Sequence, residues 1–335
     1  MAVHFKEFAE HILADYIKSS DPFVVEIGSN DGYLLQHFLS RDVPCLGIEP
    51  AENVAQVAIQ KGIPTISRFF GVRLAQEVAE THGKADLLLG NNVLAHVPDL
   101  NDFVQGMKVL LDPRGMITME FPHLHRLVQG NQFDTIYHEH FSYFSFLTVS
   151  EVFEAHGMTL FDVEELPSHG GSIRIYAKHT EDDSRGVTED VHRLRAQEMA
   201  LGYDRLESYG SFQEKVHETK RGFLEFLIDA KRDGRTIVNY GAPGKGNTLL
   251  NYCGIRQDFI DYAVDRSEYK HGRYTPGTHI PIFPPDKLQE TKPDLIVIMP
   301  WNLRKEISRQ LAYTAEWGAK LVVPIPTVEV FDPGT

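Results

Sequence analysis

A chain of 335 residues with 42% hydrophobic content is long enough for two packed cores, and a charged fraction of 24% is ordinary for a folded protein. The formal net charge of −14 disfavours nucleic acid and anionic membrane surfaces, and admits a small anion only where backbone N–H groups, Lys or Arg gather locally. Two cysteines, Cys45 and Cys253, are too few for a disulfide framework or a cysteine-rich zinc site, and no apolar run reaches the ~18 residues of a membrane span.

The N-terminus, MAVHFKEFAEHILADYIKSS, is acidic and amphipathic and lacks the basic and apolar regions of a signal peptide, so a soluble, cytoplasmic protein is expected. Phe5, Phe8, Ala9, Ile12, Leu13 and Tyr16 recur at helical spacing, which predicts a helix over 4–18. FVVEIGSNDGYLLQHFL then reads strand, glycine turn, helix, and PCLGIEP is a short strand ending at Glu49. A helix is expected over 51–61 and another over 100–111. ADLLLGNNVLAHVPD is an apolar strand opening into a polar loop, and GMITMEFP is a further buried strand. This alternation of short apolar strands with helices predicts a parallel, doubly wound sheet.

DTIYHEHFSYFS, residues 134–145, crowds Tyr137, His138, Glu139, His140 and Tyr143 into a few positions. If it is extended, neighbours point to opposite faces, so His138 and Glu139 cannot both reach one ion. H-E-H also lacks the helical H-E-x-x-H spacing, so no metal site is expected, even with His123 and His125 nearby. An acid–base site and a polar strand edge both remain open on the residues alone. After a helix over 147–156, MTLFDVEELPSHGGSIRIYAKHT alternates as antiparallel strands do. Residues 181–233 read as two helices broken near Gly202 or Gly210. At 236 the α/β rhythm resumes with TIVNYGAPGKGNTLLNY, IDYAVDRS, PDLIVIMPWNLRKEISRQL and AKLVVPIP. The expected domains are 1–160, an α/β domain; 161–235, antiparallel strands and a helical connector; and 236–335, a second Rossmann-like α/β domain.

The first glycine turn, VVEIGSNDGYL, reads G-x-x-x-G rather than the G-x-G-x-x-G of a dinucleotide site. With Glu26 in the strand and Glu49 closing the next strand, it resembles the S-adenosylmethionine loop of class I methyltransferases. The chemistry suits that ligand: Glu26 and Asp31 are tolerable beside a sulfonium and an ammonium, and would be poor beside a pyrophosphate. Glu49 can accept from ribose hydroxyls. The expected cofactor contacts are Glu26, Gly28, Asn30, Gly32, Tyr33, Glu49, Asn91 and Asn92, with His96 in the loop after the fourth strand, where open α/β sheets bind ligands. A generic strand–turn–helix and a nicotinamide site are the competing readings of the turn.

EIGSNDGYLL, NNVLAHVPD, IYHEHFSYFS, HGGSIR and YGAPGKGNTLLNYCGI occur in that order from about residue 4 onward. Together they resemble the sugar C-methyltransferases that act on nucleotide-linked keto-deoxysugars, of dTDP or GDP type. The resemblance implies a class I methyltransferase sheet followed by a second Rossmann-like domain that helps bind the nucleotide-sugar. It implies alkylation of the carbon next to a C-4 ketone, usually C-3. It places the general base at His140, with Tyr137, Glu139 and His96 as the other catalytic positions. The base chemistry stands without the family: carbon must lose a proton before it is nucleophilic, and histidine is the usual base near neutral pH. His169 and Arg174 are candidate substrate contacts. So are Gly244, Lys245, Gly246 and Asn247 of the second glycine turn, which offers N–H groups and an ammonium to an anion. Asp265, ending the next strand, could read a hydroxyl. Family members usually carry a cysteine-rich zinc segment ahead of the cofactor domain, and this chain starts about where that segment ends. Competing expectations are a binding protein without turnover and a methyltransferase for another small acceptor.

Overall fold

The computed structural model describes residues 2–17 and 21–335, with the side chains of 2–4 set aside. The chain divides into two compact units. One comprises the chain up to Leu124 together with His140–Arg205, and the other comprises His125–Glu139 and Leu206–Thr335.

Unit 1 is built on a seven-stranded sheet of order β3-β2-β1-β4-β5-β7-β6. Its strands are β1 (Val24–Ile27), β2 (Cys45–Ile48), β3 (Thr65–Ile66), β4 (Ala85–Asn91), β5 (Leu111–Pro122), β6 (Met158–Leu166) and β7 (Ser172–His179). The first five run parallel, and β7 pairs antiparallel with both β5 and β6. Parallel strands covered on both faces read as unbroken apolar runs, and VVEI and CLGI are buried throughout. The helices are α1 (Ala2–His11), α2 (Leu35–Leu39), α3 (Glu52–Gln60), α4 (Val72–His82), α5 (Leu100–Leu110), α6 (Leu124–Gln129), α7 (Phe146–Ala155) and α8 (Glu189–Leu201). α6 runs from Leu124 of unit 1 into unit 2.

The helix expected over 4–18 is shorter: α1 gives way to a single wider π-type turn over Ile12–Tyr16, and Lys18 lies outside the described residues. Two apolar cores form in unit 1. One gathers Val25, Leu88, Phe103, Ile117 and Phe153; the other gathers Phe8, Val24, Phe38, Leu87 and Tyr176. The antiparallel pair β6–β7 is part of this first sheet, so the strands expected to belong with the connector of 161–235 complete unit 1 instead. The reason is register: Met119 faces Ile175 and Phe121 faces Ile173 along an edge of β5 that would otherwise be unpaired.

Unit 2 carries a six-stranded sheet of order β10-β9-β8-β11-β12-β13. Its strands are β8 (Ile237–Tyr240), β9 (Tyr262–Val264), β10 (Ile282–Phe283), β11 (Leu295–Ile298), β12 (Lys320–Val323) and β13 (Glu329–Phe331). All are parallel except β13. The helices are α9 (Phe212–Arg232), α10 (Gly244–Cys253), α11 (Lys287–Thr291) and α12 (Arg304–Gln310). The break between α8 and α9 includes both Gly202, left-handed at the end of α8, and Gly210. The second reading of a doubly wound domain therefore holds, with two additions: unit 2 also takes in 206–235, the α9 part of the expected connector, and 125–139, whose Phe133 is buried in its core. No helix among the described residues is long and apolar enough to cross a membrane.

Candidate active site

In unit 1 a cavity of about 490 Å3 opens at the carboxyl ends of β1, β2 and β4. Its walls include Gly28, Asn30, Glu49, Asn91, Asn92 and His96. The turn after β1 makes this possible. Gly28 has φ +70°, and a Cβ there would press on Val93 at 3.2 Å, so the loops after β1 and β4 approach each other across a glycine. Glu49 is buried, with Oε2 accepting from the Asn30 N–H (3.0 Å) and Oε1 from the Ala51 N–H (2.8 Å). Each oxygen keeps a lone pair free to accept from a hydroxyl.

Several polar atoms around this cavity lack partners. Asn91 Nδ2 and Asn92 Oδ1 are buried without a hydrogen bond. So are both oxygens of Glu26, which is fully buried. Burial, and next the charge of Glu49, push the Glu26 carboxyl well above the usual carboxylate range. A ligand carrying hydroxyls, amines and positive charge satisfies such a set; a pyrophosphate does not. Of the expected contacts, Glu26, Gly32 and Tyr33 do not form the cavity wall. Tyr33 lies close enough to Glu26 for that carboxyl, after burial, to raise its phenol.

Unforeseen wall residues are Phe69 and Phe70 after β3, and Asp99, Asp102 and Phe103 at the start of α5. Phe69 is 84% exposed, and Phe70 packs edge-on against Phe103 at 5.3 Å. Adjacent aromatics just past a parallel strand were a signal available in the sequence. Asp99 and Asp102 are tied down otherwise: Asp99 caps α5 by accepting from the Asp102 N–H (3.0 Å), and Asp102 accepts from the Val72 N–H (3.2 Å).

The histidines meet beside this cavity. His96 ends a 3-10 turn over Leu94–His96, and its ring lies 4.8 Å from the ring of His140, at 75°. The backbone holds them together, because the Ala95 carbonyl accepts from the Phe141 N–H (2.8 Å) and the Ser142 N–H (3.3 Å). The Tyr143 ring also stands beside His140, at 5.7 Å and 72°. Tyr137–Glu139 form a turn rather than a strand, so the alternation considered for an extended segment does not apply. His138 and Glu139 are exposed, and Tyr137 and His140 are half-buried. Tyr137 and Glu139 belong to unit 2, while His140 belongs to unit 1. Among the described residues no group of three or more His, Cys, Asp or Glu side chains is placed to hold a metal ion.

His123 and His125 are buried rather than aimed at solvent. His123 Nε2 bonds Glu198 Oε1 at 2.6 Å, and Glu198, on α8, accepts from the Phe146 and Leu147 N–H groups that begin α7. His169 is exposed at a left-handed turn with φ +55°. Arg174 is a correction. Its guanidinium is buried against the Phe8 ring and donates to Glu120 (2.6 Å) and Glu164 (3.2 Å), so it serves the interior of unit 1 and is not offered to a phosphate.

In unit 2 the second glycine turn follows β8. Gly241 has φ +85°, and a Cβ there would meet Pro300 at 2.8 Å. Gly244, Lys245, Gly246 and Asn247 form the first turn of α10. Lys245 lies 4.6 Å from the centre of the Trp301 ring and donates to Asn302 Oδ1. Burial lowers the Lys245 pKa, and Asp134 works against that. Asp134 is fully buried, and its Oδ2 accepts from Trp301 Nε1 (2.7 Å). Burial pushes its carboxyl up to about 6, opposed by the Trp301 bond and by Lys245. Asp265 is committed to the loop itself: it accepts from the Ala242 N–H (2.8 Å), the Ser267 N–H (2.8 Å) and Lys270 (2.9 Å). Burial opposes its charge, but these donors outweigh burial and hold its pKa below the ordinary value.

The strand order of unit 1, the glycine turn and the acid-capped second strand define a class I methyltransferase domain followed by a Rossmann-like domain. Comparison with known proteins agrees. Residues 4–163 match the family described as methyltransferase domain, and 167–326 match the family described as C-methyltransferase C-terminal domain. The C-methyltransferase NovU of Streptomyces niveus is 36% identical over 307 residues, 92% of this chain and 73% of that protein. The chain belongs to the S-adenosylmethionine-dependent C-methyltransferases. Among solved structures, an S-adenosylmethionine-dependent methyltransferase from Clostridium acetobutylicum aligns with a TM-score of 0.43 at 9% identity, over 53% of this chain and 92% of its own. The magnesium protoporphyrin IX methyltransferase of Synechocystis, with bound S-adenosylmethionine, aligns at 0.39 and 15%, over 52% and 78%.

Proposed function

We propose that this enzyme methylates carbon next to the C-4 ketone, at C-3, of a nucleotide-diphosphate keto-deoxysugar of dTDP or GDP type, with His140 as the base. The observation that carries the reading is the pairing of His140 with His96, a residue of the cofactor cavity wall, at a ring separation of 4.8 Å. S-adenosylmethionine, when bound, supplies a methyl group made electrophilic by the sulfonium; Gly28, Asn30, Glu49, Asn91 and Asn92 are the residues that would hold it. Phe69 and Phe70 offer flat apolar faces at the same wall.

The chain's own work is proton transfer. A C–H beside a ketone becomes acidic only as its electrons pass into an enolate, so a base and an oxyanion donor must act together. His140 takes the proton. His96, Tyr143 and Tyr137 are the candidate donors to the developing enolate oxygen, and Glu139 orients a ring through the turn it shares. The second glycine turn, with Lys245 and the N–H groups opening α10, takes the diphosphate. Such a reaction uses a soluble substrate, consistent with a cytoplasmic setting.

His140→Ala or His140→Asn should lower methyl transfer by at least ~10²-fold, the usual share of a general base, while S-adenosylmethionine still binds. Turnover is measured with dTDP- and GDP-linked 4-keto sugars, and binding by calorimetry. Full activity in either variant removes His140 from the role.

A further inference from the structure

Asp134 is a fully buried carboxyl that the proton transfer does not use. It lies in a 3-10 turn over Phe133–Thr135. The Ile136 N–H closes that turn on the Phe133 carbonyl (3.0 Å), and the Thr135 N–H donates to the Gln132 carbonyl (3.1 Å). Asn131, Gln132, Phe133 and Asp134 are all buried, whereas Ile136, His138 and Glu139 are exposed. Asp134 is therefore the last buried side chain before the turn that carries Tyr137 and Glu139 and leads into His140.

The partner of Asp134 is Trp301, whose Nε1–H donates to Oδ2 at 2.7 Å. Trp301 opens a 3-10 turn over Trp301–Leu303, just past β11. Its backbone setting is stiff. The Met299 N–H donates to the Tyr240 carbonyl (3.1 Å), and the Leu303 N–H to the Pro300 carbonyl (2.8 Å). The second glycine turn closes on the same stretch: a Cβ on Gly246 would meet Met299 at 3.0 Å, as one on Gly241 would meet Pro300. The Lys245 ammonium lies over the indole as well. The ring is thus held by its backbone and across its face, and its one polar atom is given to Asp134.

A neutral acceptor would satisfy an indole N–H, and a carboxylate out of water is costly. What a charged acceptor adds is a stronger and more directional bond. That suits a tie that must hold a position rather than fill a space. Phe133, the neighbouring residue, packs against Tyr252 of α10 at 5.2 Å, so the 133–135 turn is docked on both sides of Asp134.

We propose that Trp301 is a positioning residue for the methyl transfer: by holding Asp134 it fixes the 133–135 turn, and with it the placement of Tyr137 and Glu139 just ahead of His140. Tyr137 follows Asp134 by three residues and Glu139 by five, too short a stretch to absorb a shift of the anchor. Proton abstraction from carbon tolerates little error, since a misplacement of ~1 Å can cost ~10²-fold. The inference rests on the assignment of proton transfer to the 137–140 turn made above.

The test compares the full chain with Trp301→Phe, which keeps an aromatic face beside Lys245 and removes the N–H. The first readout needs no substrate. Amide hydrogen exchange over 135–139 should become about tenfold faster, while β8 and β11 stay protected and so show that the variant is folded. The second is turnover of dTDP- and GDP-linked 4-keto sugars. kcat should fall about tenfold or more, while the KM for the sugar and the calorimetric affinity for S-adenosylmethionine move by less than about threefold. Asp134→Ala should lose as much as Trp301→Phe, and the double variant no more than either, because one bond is removed in each. Asp134→Asn, which keeps an acceptor, should stay within about threefold of the unaltered protein. Unchanged exchange over 135–139 overturns the inference. So does an unchanged kcat despite faster exchange, a change confined to KM, or additive losses in the double variant. If the unaltered chain methylates none of the sugars, the substrate reading falls, and the exchange result alone decides whether Trp301 holds the turn.

Discussion

Glu26 sits in a surrounding where a neighbour of positive charge would stabilise its charged form. It is fully buried, has no hydrogen-bond partner, and is held well above the carboxylate range first by burial and then by Glu49. Burial thus favours its protonated form. A cationic cofactor beside it favours the charged form, so binding should expel that proton. Titrating S-adenosylmethionine at pH 7 in buffers of different ionisation enthalpy should reveal release of up to about one proton, and Glu26→Gln should abolish it. Buffer-independent heats in the unaltered protein would contradict this. Asp134 gives a second residue-level expectation. Its folded pKa, about 6, lies above the ordinary carboxylate value, because burial penalises the charge. The folded state thus binds the proton more tightly than the unfolded chain. The stabilisation is complete below about pH 4 and is lost as pH rises through about 6. Asp134→Asn keeps an acceptor for Trp301 without the charge. Its stability relative to the unaltered protein should improve between pH 4 and 7, by up to about 3 kcal/mol, in denaturant titrations. A constant difference across that range would rule out titration of Asp134.

Between elements, the tightest tie is Glu198. It reaches from α8 to accept from the two N–H groups opening α7 and to bond His123, all out of water. A carboxylate at a helix N-terminus meets both unsatisfied donors and the helix dipole. Glu198→Ala should cost about 3 kcal/mol in chemical unfolding, because it strands buried donors, and Glu198→Gln should cost less. This tie was not legible in the chain: nothing in QEM distinguishes a capping carboxylate from the many solvated ones of 181–233. The elements themselves were legible. α3, α5, α7 and most parallel strands fall within a residue or two of the expected bounds, since apolar runs and helical spacing are local signals. Strand partners are not local, which is why β6 and β7 were assigned to a connector although they complete the first sheet. The site divides the same way. Gly28, Asn30, Glu49, Asn91, Asn92 and His96 gather on one cavity because the doubly wound topology dictates where loops meet. Arg174 was misread because Glu120 and Glu164 reach it only through strand pairing, with β5 and β6 flanking β7.

For the whole molecule, the net charge of −14 says little about the fold, but the path of the chain says much. It passes between the units after Leu124, after Glu139 and after Arg205. Residues 125–139 supply Phe133 to the core of unit 2, Asp134 to Trp301, and Asn131 to Lys215 and Thr219. A fragment of residues 206–335 lacks all of these. Phe133 alone represents about 1.5–3 kcal/mol of apolar burial. That fragment should unfold at lower denaturant than the same fragment with 125–139 joined to it, and equal midpoints would show the segment to be dispensable. The consequence reaches any exchange of parts among relatives. A transplant cut once, near residue 206, would leave the recipient with a donor's sheet and its own fifteen-residue patch upon it, mismatched at every contact just named. A faithful graft must be sewn at two places in the chain, carrying 125–139 along with the C-terminal half.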